Sequence, residues 1–136
     1  MKTLSIQIKV YNGNPQSNVI YILSRGNHSG KVLNQPCPNC YTIQSDESFL
    51  PVIRATAHVL YLSGSLSVLF RGSVIEFITV SDYRNAFLNL WHSLNSEKIL
   101  ETASSLSTLE NHLAVIQKQQ KLILQLIRTT AFSALK

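Results

Sequence analysis

The chain is short, of ordinary hydrophobicity and poor in charge. It has 136 residues, of which 45% are hydrophobic and 14% are charged, whereas an average globular domain has about 25% charged residues. Twelve basic and seven acidic residues give a formal net charge of +5. This composition excludes an acidic disordered tail, a collagen-like repeat and a disulfide-dense miniprotein, and the length suits one domain with a hydrophobic core.

The charges are divided unevenly along the chain. Residues 1–45 contain four basic and no acidic residues (+4), residues 46–110 contain four basic and seven acidic residues (−3), and residues 111–136 contain four basic and no acidic residues (+4). Basic segments without acids are typical of proteins that bind polyanions such as nucleic acid or anionic lipid. A solvated surface with a small positive charge explains the same distribution, so both interpretations stay open.

Neither a targeting segment nor a membrane-spanning segment is predicted. Apolar and polar residues alternate in residues 4–10, whereas the core of a secretory signal is a continuous apolar run. A membrane helix needs roughly 18 or more apolar residues in succession, and the sequence has no such run. We therefore expect a cytoplasmic protein without membrane partners, in which Cys37 and Cys40 are thiols or metal ligands rather than a disulfide.

The first part of the chain predicts strands separated by turns. Leu4–Tyr11 alternates apolar and polar residues, which predicts a strand with one buried face, and Val19–Leu23 predicts a more deeply buried strand. Asn12–Pro15 between them has turn chemistry, so the two strands are able to form a hairpin with a long loop. The next segments are predicted as two loops and a short strand: residues 24–30, residues 34–39 and Tyr41–Ile43.

The middle of the chain predicts a helix, a strand and a second helix. Ser48–Leu62 has apolar residues at helical spacing and is expected to end near Gly64. Val74–Val80 is rich in β-branched and aromatic residues, which favours a strand. Ser81 is the predicted N-cap of an amphipathic helix. Its apolar residues recur every three or four positions: Tyr83, Ala86, Phe87, Leu90, Trp91 and Leu94.

Residues 96–136 predict a long helix with a heptad repeat. Asn95 or Ser96 is able to cap it, and no Pro or Gly interrupts it. At 1.5 Å per residue the helix would be about 60 Å long, too long for a small domain to cover. Either it breaks near residues 104–107 and folds back as a hairpin, or it associates with a second copy or another helical protein. The predicted association residues are Leu106, Leu109, Leu113, Ile116, Gln120, Ile123 and Ile127, and the polar member of this set would fix the register.

These elements together predict an α+β fold. Residues 1–95 are expected to form a small antiparallel sheet with packed helices. Residues 96–136 are expected to form a C-terminal helix or helical hairpin, which serves as the association element.

Cys37-Pro38-Asn39-Cys40 is a CxxC motif. Two thiolates at this spacing are able to hold one side of a tetrahedral zinc site, and His28 and His58 are candidates for the remaining ligands. The motif also resembles that of glutaredoxins, but the strand, motif and helix do not follow one another as that redox site requires. Buried thiols are the third interpretation. Zinc at Cys37 and Cys40 is therefore a hypothesis, and no other cofactor is predicted.

No motif of an enzyme is present. The four histidines have neither HxxxH nor HExxH spacing, and no GxSxG elbow occurs. Gly26–Lys31 ends in Gly-Lys but lacks both the spacing of a phosphate-binding P-loop and the helix that follows it. We interpret this segment as a turn, whose polar residues are alternatively able to bind phosphate. A non-enzymatic protein is therefore expected.

Two segments resemble known families. Gly72–Tyr83 resembles a segment of type I restriction specificity subunits, whose target-recognition domains have a Gly-Ser turn, an Ile-rich strand and a Ser/Asp-led turn, and end in a long apolar helix. Tyr21–Gly26, followed by Gly30-Lys31, is similar to a small uncharacterised family of bacterial mobile elements. The first resemblance implies a half-size recognition module that dimerises through its C-terminal helix. Its predicted contacts with the phosphates of duplex DNA are Arg25, Lys31, Arg54 and Arg71.

Three functions are therefore considered from the sequence. The first is a small non-enzymatic DNA-binding module of a phage or mobile element, dimeric through its C-terminal helix. The second is an assembly or adaptor protein that acts through helix-mediated protein contacts without nucleic acid. The third is a thiol or zinc protein centred on Cys37 and Cys40.

Overall fold

A computed structural model describes residues 5–93 and 95–136, and the predictions for Leu4 and Leu94 lie outside these residues. The described chain has an antiparallel four-stranded sheet and helices, which confirms the predicted α+β fold. The strands are β1 (Gln7–Val10), β2 (Val19–Leu23), β3 (Val32–Leu33) and β4 (Cys40–Gln44). The helices are α1 (Leu50–Leu62), α2 (Val80–Ser93) and α3 (Ser96–Ser133), with 3₁₀ turns at Glu47–Phe49 and Ser65–Leu69.

The sheet has the order β1-β4-β2-β3, so the predicted hairpin of the first two strands is wrong. β4 lies between them and pairs with both, and Ile43 faces Ile8 on one side and Ile20 on the other. All three isoleucines are buried. This row of side chains favours β4 as a central strand, because residues opposite each other in a sheet share one face.

The core lies where α1 and α2 pack on the sheet. Ile53, Ala57 and Leu60 recur at helical spacing in α1 and are buried. Pro51 lies in the first turn of α1, and the residue after its C-cap is Gly64 in a left-handed conformation, as the sequence predicts. α2 adds Tyr83 and Phe87, and Arg84 of the same helix donates from Nη2 to the Ile8 carbonyl at 2.7 Å.

The predicted strand Val74–Val80 is wrong. In this segment Phe77 alone makes β-bridges, and Val74 and Ile75 are 93% and 54% exposed. Their β-branched side chains have no neighbouring strand to pack against, and intrinsic preference alone does not form a ladder. The predicted N-cap at Ser81 is also wrong, because α2 begins at Val80 and Ser81 lies inside it. Thr79 caps the helix instead, and its Oγ1 accepts a hydrogen bond from the Asp82 N–H at 3.2 Å.

α3 is continuous, so the predicted break near residues 104–107 and the helical hairpin are wrong. Asn95 caps it, as one of the two predicted alternatives, because its Oδ1 accepts a hydrogen bond from the Glu97 N–H at 2.9 Å. The chain divides into two compact units, Met1–Ala103 and Ser104–Lys136. The first unit therefore includes the start of α3, where Ile99 is buried. Of the described helices, none combines the length and apolarity needed to cross a bilayer.

Candidate association helix and arginine pair

The loop between β2 and β3 contains internal hydrogen bonds and a contact with α1. The Ser29 N–H and Oγ both donate to the Gly26 carbonyl, at 3.2 and 2.7 Å, and Ser29 is completely buried. His28 Nδ1 lies 3.1 Å from the Tyr61 hydroxyl of α1, which ties the loop to that helix. The side chains of Arg25 and Lys31 are exposed on this loop.

Phe77 lies between Arg25 and Arg71 in a short ladder. On one side, the Arg71 N–H donates to the Phe77 carbonyl at 2.8 Å and the Phe77 N–H donates to the Arg71 carbonyl at 2.9 Å. On the other side, Arg25 forms an antiparallel bridge with Phe77. Directly opposed residues point to the same face of such a ladder. The two arginines, which we call the arginine pair, therefore flank one aromatic side chain on a common face.

One carboxylate lies close to Arg71 of the arginine pair. Arg71 Nη2 is 3.2 Å from Asp82 Oδ2, although 62% of the Arg71 side chain remains exposed. Glu76 is next to Phe77 in the chain, and its carbonyl accepts a hydrogen bond from the Gly26 N–H at 2.7 Å. The Asp82 carboxylate thus partly balances the charge of Arg71.

The four predicted phosphate contacts do not form a single cluster. The structure brings Arg25 and Arg71 together and places Lys31 on the same loop as Arg25. Arg54 is exposed on α1, a separate element. No local sequence pattern indicates the arginine pair, because it depends on the bridge between Phe77 and Arg25, which are far apart in sequence.

Cys37 lies in the turn that leads into β4, and Cys40 is the first residue of that strand. Cys40 is 1% exposed and its Sγ donates to the Cys37 carbonyl at 3.0 Å, and burial raises the pKa of its thiol. Cys37 is half-buried and lines a groove of about 480 Å³ with Tyr11, Gly13, Pro36 and Pro38. Within the described part of the chain, no group of three His, Cys, Asp or Glu side chains is placed to hold a metal ion. A zinc ion bound at this motif would therefore have two sulfur ligands, from Cys37 and Cys40, whereas a structural zinc site has four ligands.

The apolar side chains of α3 beyond residue 103 are exposed. All residues from 107 to 136 are exposed, including Gln120, and Leu106 is half-buried. The aliphatic association residues of the second unit are between 54% and 62% exposed: Leu109, Leu113, Ile116, Ile123 and Ile127. Leu122, Leu124 and Leu126 are also exposed and widen this stripe. We call the heptad residues from Leu106 to Ile127 the α3 seam.

Comparison with known proteins gives a family but no assigned activity. Residues 8–133 match a family described as "Family of unknown function (DUF6943)". No curated protein matches the chain. The matched range includes most of the sheet, the arginine pair and the whole α3 seam. Because the match covers far more than half of the sequence, the chain belongs to this family, DUF6943.

Proposed function

We propose that the protein is an assembly module that associates with a helical partner through the α3 seam. The observation that carries this proposal is the exposure of the aliphatic side chains of the seam, all more than half exposed from Leu109 onward. Soluble monomers rarely leave a contiguous apolar surface of more than a few hundred Å² in water. Full burial of one such side chain contributes about 1.5–3 kcal/mol relative to leaving it exposed.

The composition of α3 supports the same proposal. Residues 104–133 include several serines and threonines, which have a low intrinsic preference for helix. Long helices in proteins are stabilised mainly by the packing of an apolar face rather than by propensity. A partner that covers the seam would supply that packing and would remove the apolar side chains from water.

The proposal is tested by the solution mass of the full chain and of two matched variants. Leu113→Glu introduces a charge into the seam, and Asn111→Asp introduces a charge two residues away, on the opposite side of the heptad. Both positions are exposed, so neither change disturbs the core of the first unit. We expect Leu113→Glu to abolish association and Asn111→Asp to preserve it. Equal masses for the two variants would contradict the role of the seam.

A second candidate function is binding of duplex DNA, and the arginine pair favours it. Two guanidinium groups on one face are suited to contact neighbouring phosphates, because each is a planar donor that stays charged. The exposure of both arginines supports this proposal. The resemblances to restriction specificity subunits and to a mobile-element family stay predictions. The strand predicted at Val74–Val80, which is part of the resemblance to restriction subunits, is not formed.

DNA binding is tested by its salt dependence in three variants of equal charge change. For Arg25→Ala and Arg71→Ala we expect weaker binding and a salt slope reduced by about one per lost phosphate contact. Lys9→Ala is the control, because Lys9 is exposed on β1 and is not among the predicted phosphate contacts. The same loss in all three variants would show a dependence on net charge alone. The absence of binding by the unmodified chain at about 50 mM salt would exclude the function.

A further inference from the structure

We infer that the partner of α3 is a second copy of the chain, which runs antiparallel to the first. This inference rests on the proposed function and adds the identity and direction of the partner. It is carried by two separate features of α3, the distribution of its charges and the spacing of its seam residues. The two features specify the same alignment.

The charges of α3 are segregated along its length. Residues 96–114 contain three acids and one base (−2), and residues 115–133 contain three bases and no acid (+3). Packed helices lie about 8–10 Å apart, which is close to the Debye length at physiological salt, so such charges interact across the pair. A parallel pair places like charges side by side. An antiparallel pair places each acidic half beside a basic half, and the helix dipoles then also oppose each other.

The seam residues form continuous layers in one antiparallel alignment. When Leu113 faces Ile116 of the second copy, Leu106 faces Ile123 at the same time, because both pairs have the same midpoint in the sequence. The symmetry of two identical chains repeats each of these layers. The layers use residues that are exposed or half-buried in the single chain, and none of them needs Ile99, which the first unit buries.

The same alignment brings opposite charges to the same height. Glu101 lies level with Arg128 of the second copy, and Glu110 lies within one residue of Lys118 of the second copy. These charges are not seam residues, so the heptad pattern and the charge pattern are independent observations. Alignments centred closer to the C-terminus would bring Lys118 and Lys121 of the two copies together. An alignment one heptad closer to the N-terminus would pair Glu101 with Lys121, but it would also place Ile123 opposite Ile99, which the first unit buries. Charge and the burial of Ile99 together select the alignment.

Gln120 faces a different residue in an antiparallel pair than in a parallel pair. In the antiparallel alignment it faces Leu109, whereas in a parallel pair it faces its own counterpart and the two amides are able to form a hydrogen bond. One polar residue thus favours the parallel direction, and four charged residues favour the antiparallel direction: Glu101, Glu110, Lys118 and Arg128. Gln120 is long enough to extend its amide to water at the edge of the seam. The charge distribution therefore decides the direction.

Distances between spin labels test the direction. Ser104 and Gln125 are exposed, lie outside the seam at the same heptad position, and are level with each other across the antiparallel pair. Each is replaced by cysteine in a Cys37→Ser chain, and the Cys37→Ser chain without either replacement shows whether the buried Cys40 takes up label. A sample that mixes the two labelled chains is compared with samples that contain one of them.

The expected result is that the distance between the 104 label and the 125 label in the mixed sample is the shorter one, because it contains only the separation across the helix pair. Samples with a single label position should give a distance that contains an axial separation of about 32 Å, from 21 residues at 1.5 Å per residue. If the samples with a single label position give the shorter distance instead, the two helices are parallel. That result overturns this inference and leaves the proposed function standing. A monomeric mass with no intermolecular distance also overturns this inference, and the helical partner of the proposed function would then have to be a different protein.

Discussion

Tyr41 and Tyr83 are neighbouring buried tyrosines with opposite hydrogen-bonding states. Their ring centroids are 6.4 Å apart, and the Tyr41 hydroxyl donates to the Ile78 carbonyl. The Tyr83 hydroxyl has no partner among the described residues, although the side chain is completely buried. A buried polar group without a partner lowers stability, whereas a satisfied one does not. The two residues therefore form a matched pair for mutation in one core.

Replacement of each tyrosine by phenylalanine should change stability in opposite directions. Tyr83→Phe removes the unpaired hydroxyl and should raise the free energy of unfolding by about 1 kcal/mol, since such a group costs about 1–3 kcal/mol when buried. Tyr41→Phe leaves the Ile78 carbonyl without its donor and should lower the free energy of unfolding by a similar amount. Urea unfolding of both variants measures the difference. A loss of stability in Tyr83→Phe would contradict the assignment.

Alkaline pH should destabilise the fold through the same side chain. Burial raises the pKa of Tyr83 well above its ordinary value of 10.0. Below the ordinary value of 10.0, the hydroxyl is protonated in both the folded and the unfolded chain. Above it, the unfolded chain loses the proton and the folded chain keeps it, so the free energy of unfolding falls as pH rises. Unfolding measured from pH 9 to about pH 11.5 should show a shallower decline in Tyr83→Phe. Parallel curves for the two proteins would refute this explanation.

Gly30 should be intolerant of a side chain. It has a φ of +93°, and a Cβ built there would lie 2.4 Å from Leu66 Cδ1, in the buried part of the fold. Gly30→Ala combines backbone strain of about 1–3 kcal/mol with overpacking of similar size. Gly13→Ala is the control, because Gly13 has a φ of +91° with open space around its Cα. Thermal unfolding should show a larger loss of stability for Gly30→Ala than for Gly13→Ala. Equal losses of stability in the two variants would show that the contact with Leu66 does not contribute.

The two thiols should react at different rates. The reactive species is the thiolate, and burial both raises the pKa of Cys40 and restricts access to its sulfur, whereas Cys37 is half-buried beside a groove. Under native conditions a thiol reagent should modify one cysteine quickly and the second only slowly. Mass spectrometry of Cys37→Ser should show that the fast reaction is lost. Fast modification of Cys40 in this variant would contradict its burial.

The local sequence pattern predicted the strands and helices better than it predicted which strands pair with each other. β2 and β4 follow from apolar runs, and α1 follows from helical spacing that ends near Gly64. The strand order was not predictable in this way, because β4 joins β1 and β2 through pairings of residues that are far apart in sequence. β3 has two residues, too few to show a period.

The errors in the middle of the chain have physical causes. Val74–Val80 has strong strand preference, but a strand needs a partner along its length, and Phe77 alone has one. Thr79 and Ser81 are both suitable caps, and Thr79 is used because its hydroxyl reaches the N–H of Asp82. The heptads predict the residues of the α3 seam, and the structure shows that these residues lie on one continuous helix and that the aliphatic ones are exposed from Leu109 onward. The arginine pair depends on tertiary contacts, which no spacing in the sequence encodes.

The most direct test of the central claim is the solution mass of the full chain over a wide concentration range. Sedimentation equilibrium should give a mass that rises from the 15.2 kDa of one chain to twice that value as concentration increases. Ile123→Glu, which places a charge in the seam, should stay at the mass of one chain at every concentration, and Gln125→Glu should behave as the unmodified chain does. A constant mass of one chain for the unmodified protein at high micromolar concentration would contradict self-association through α3.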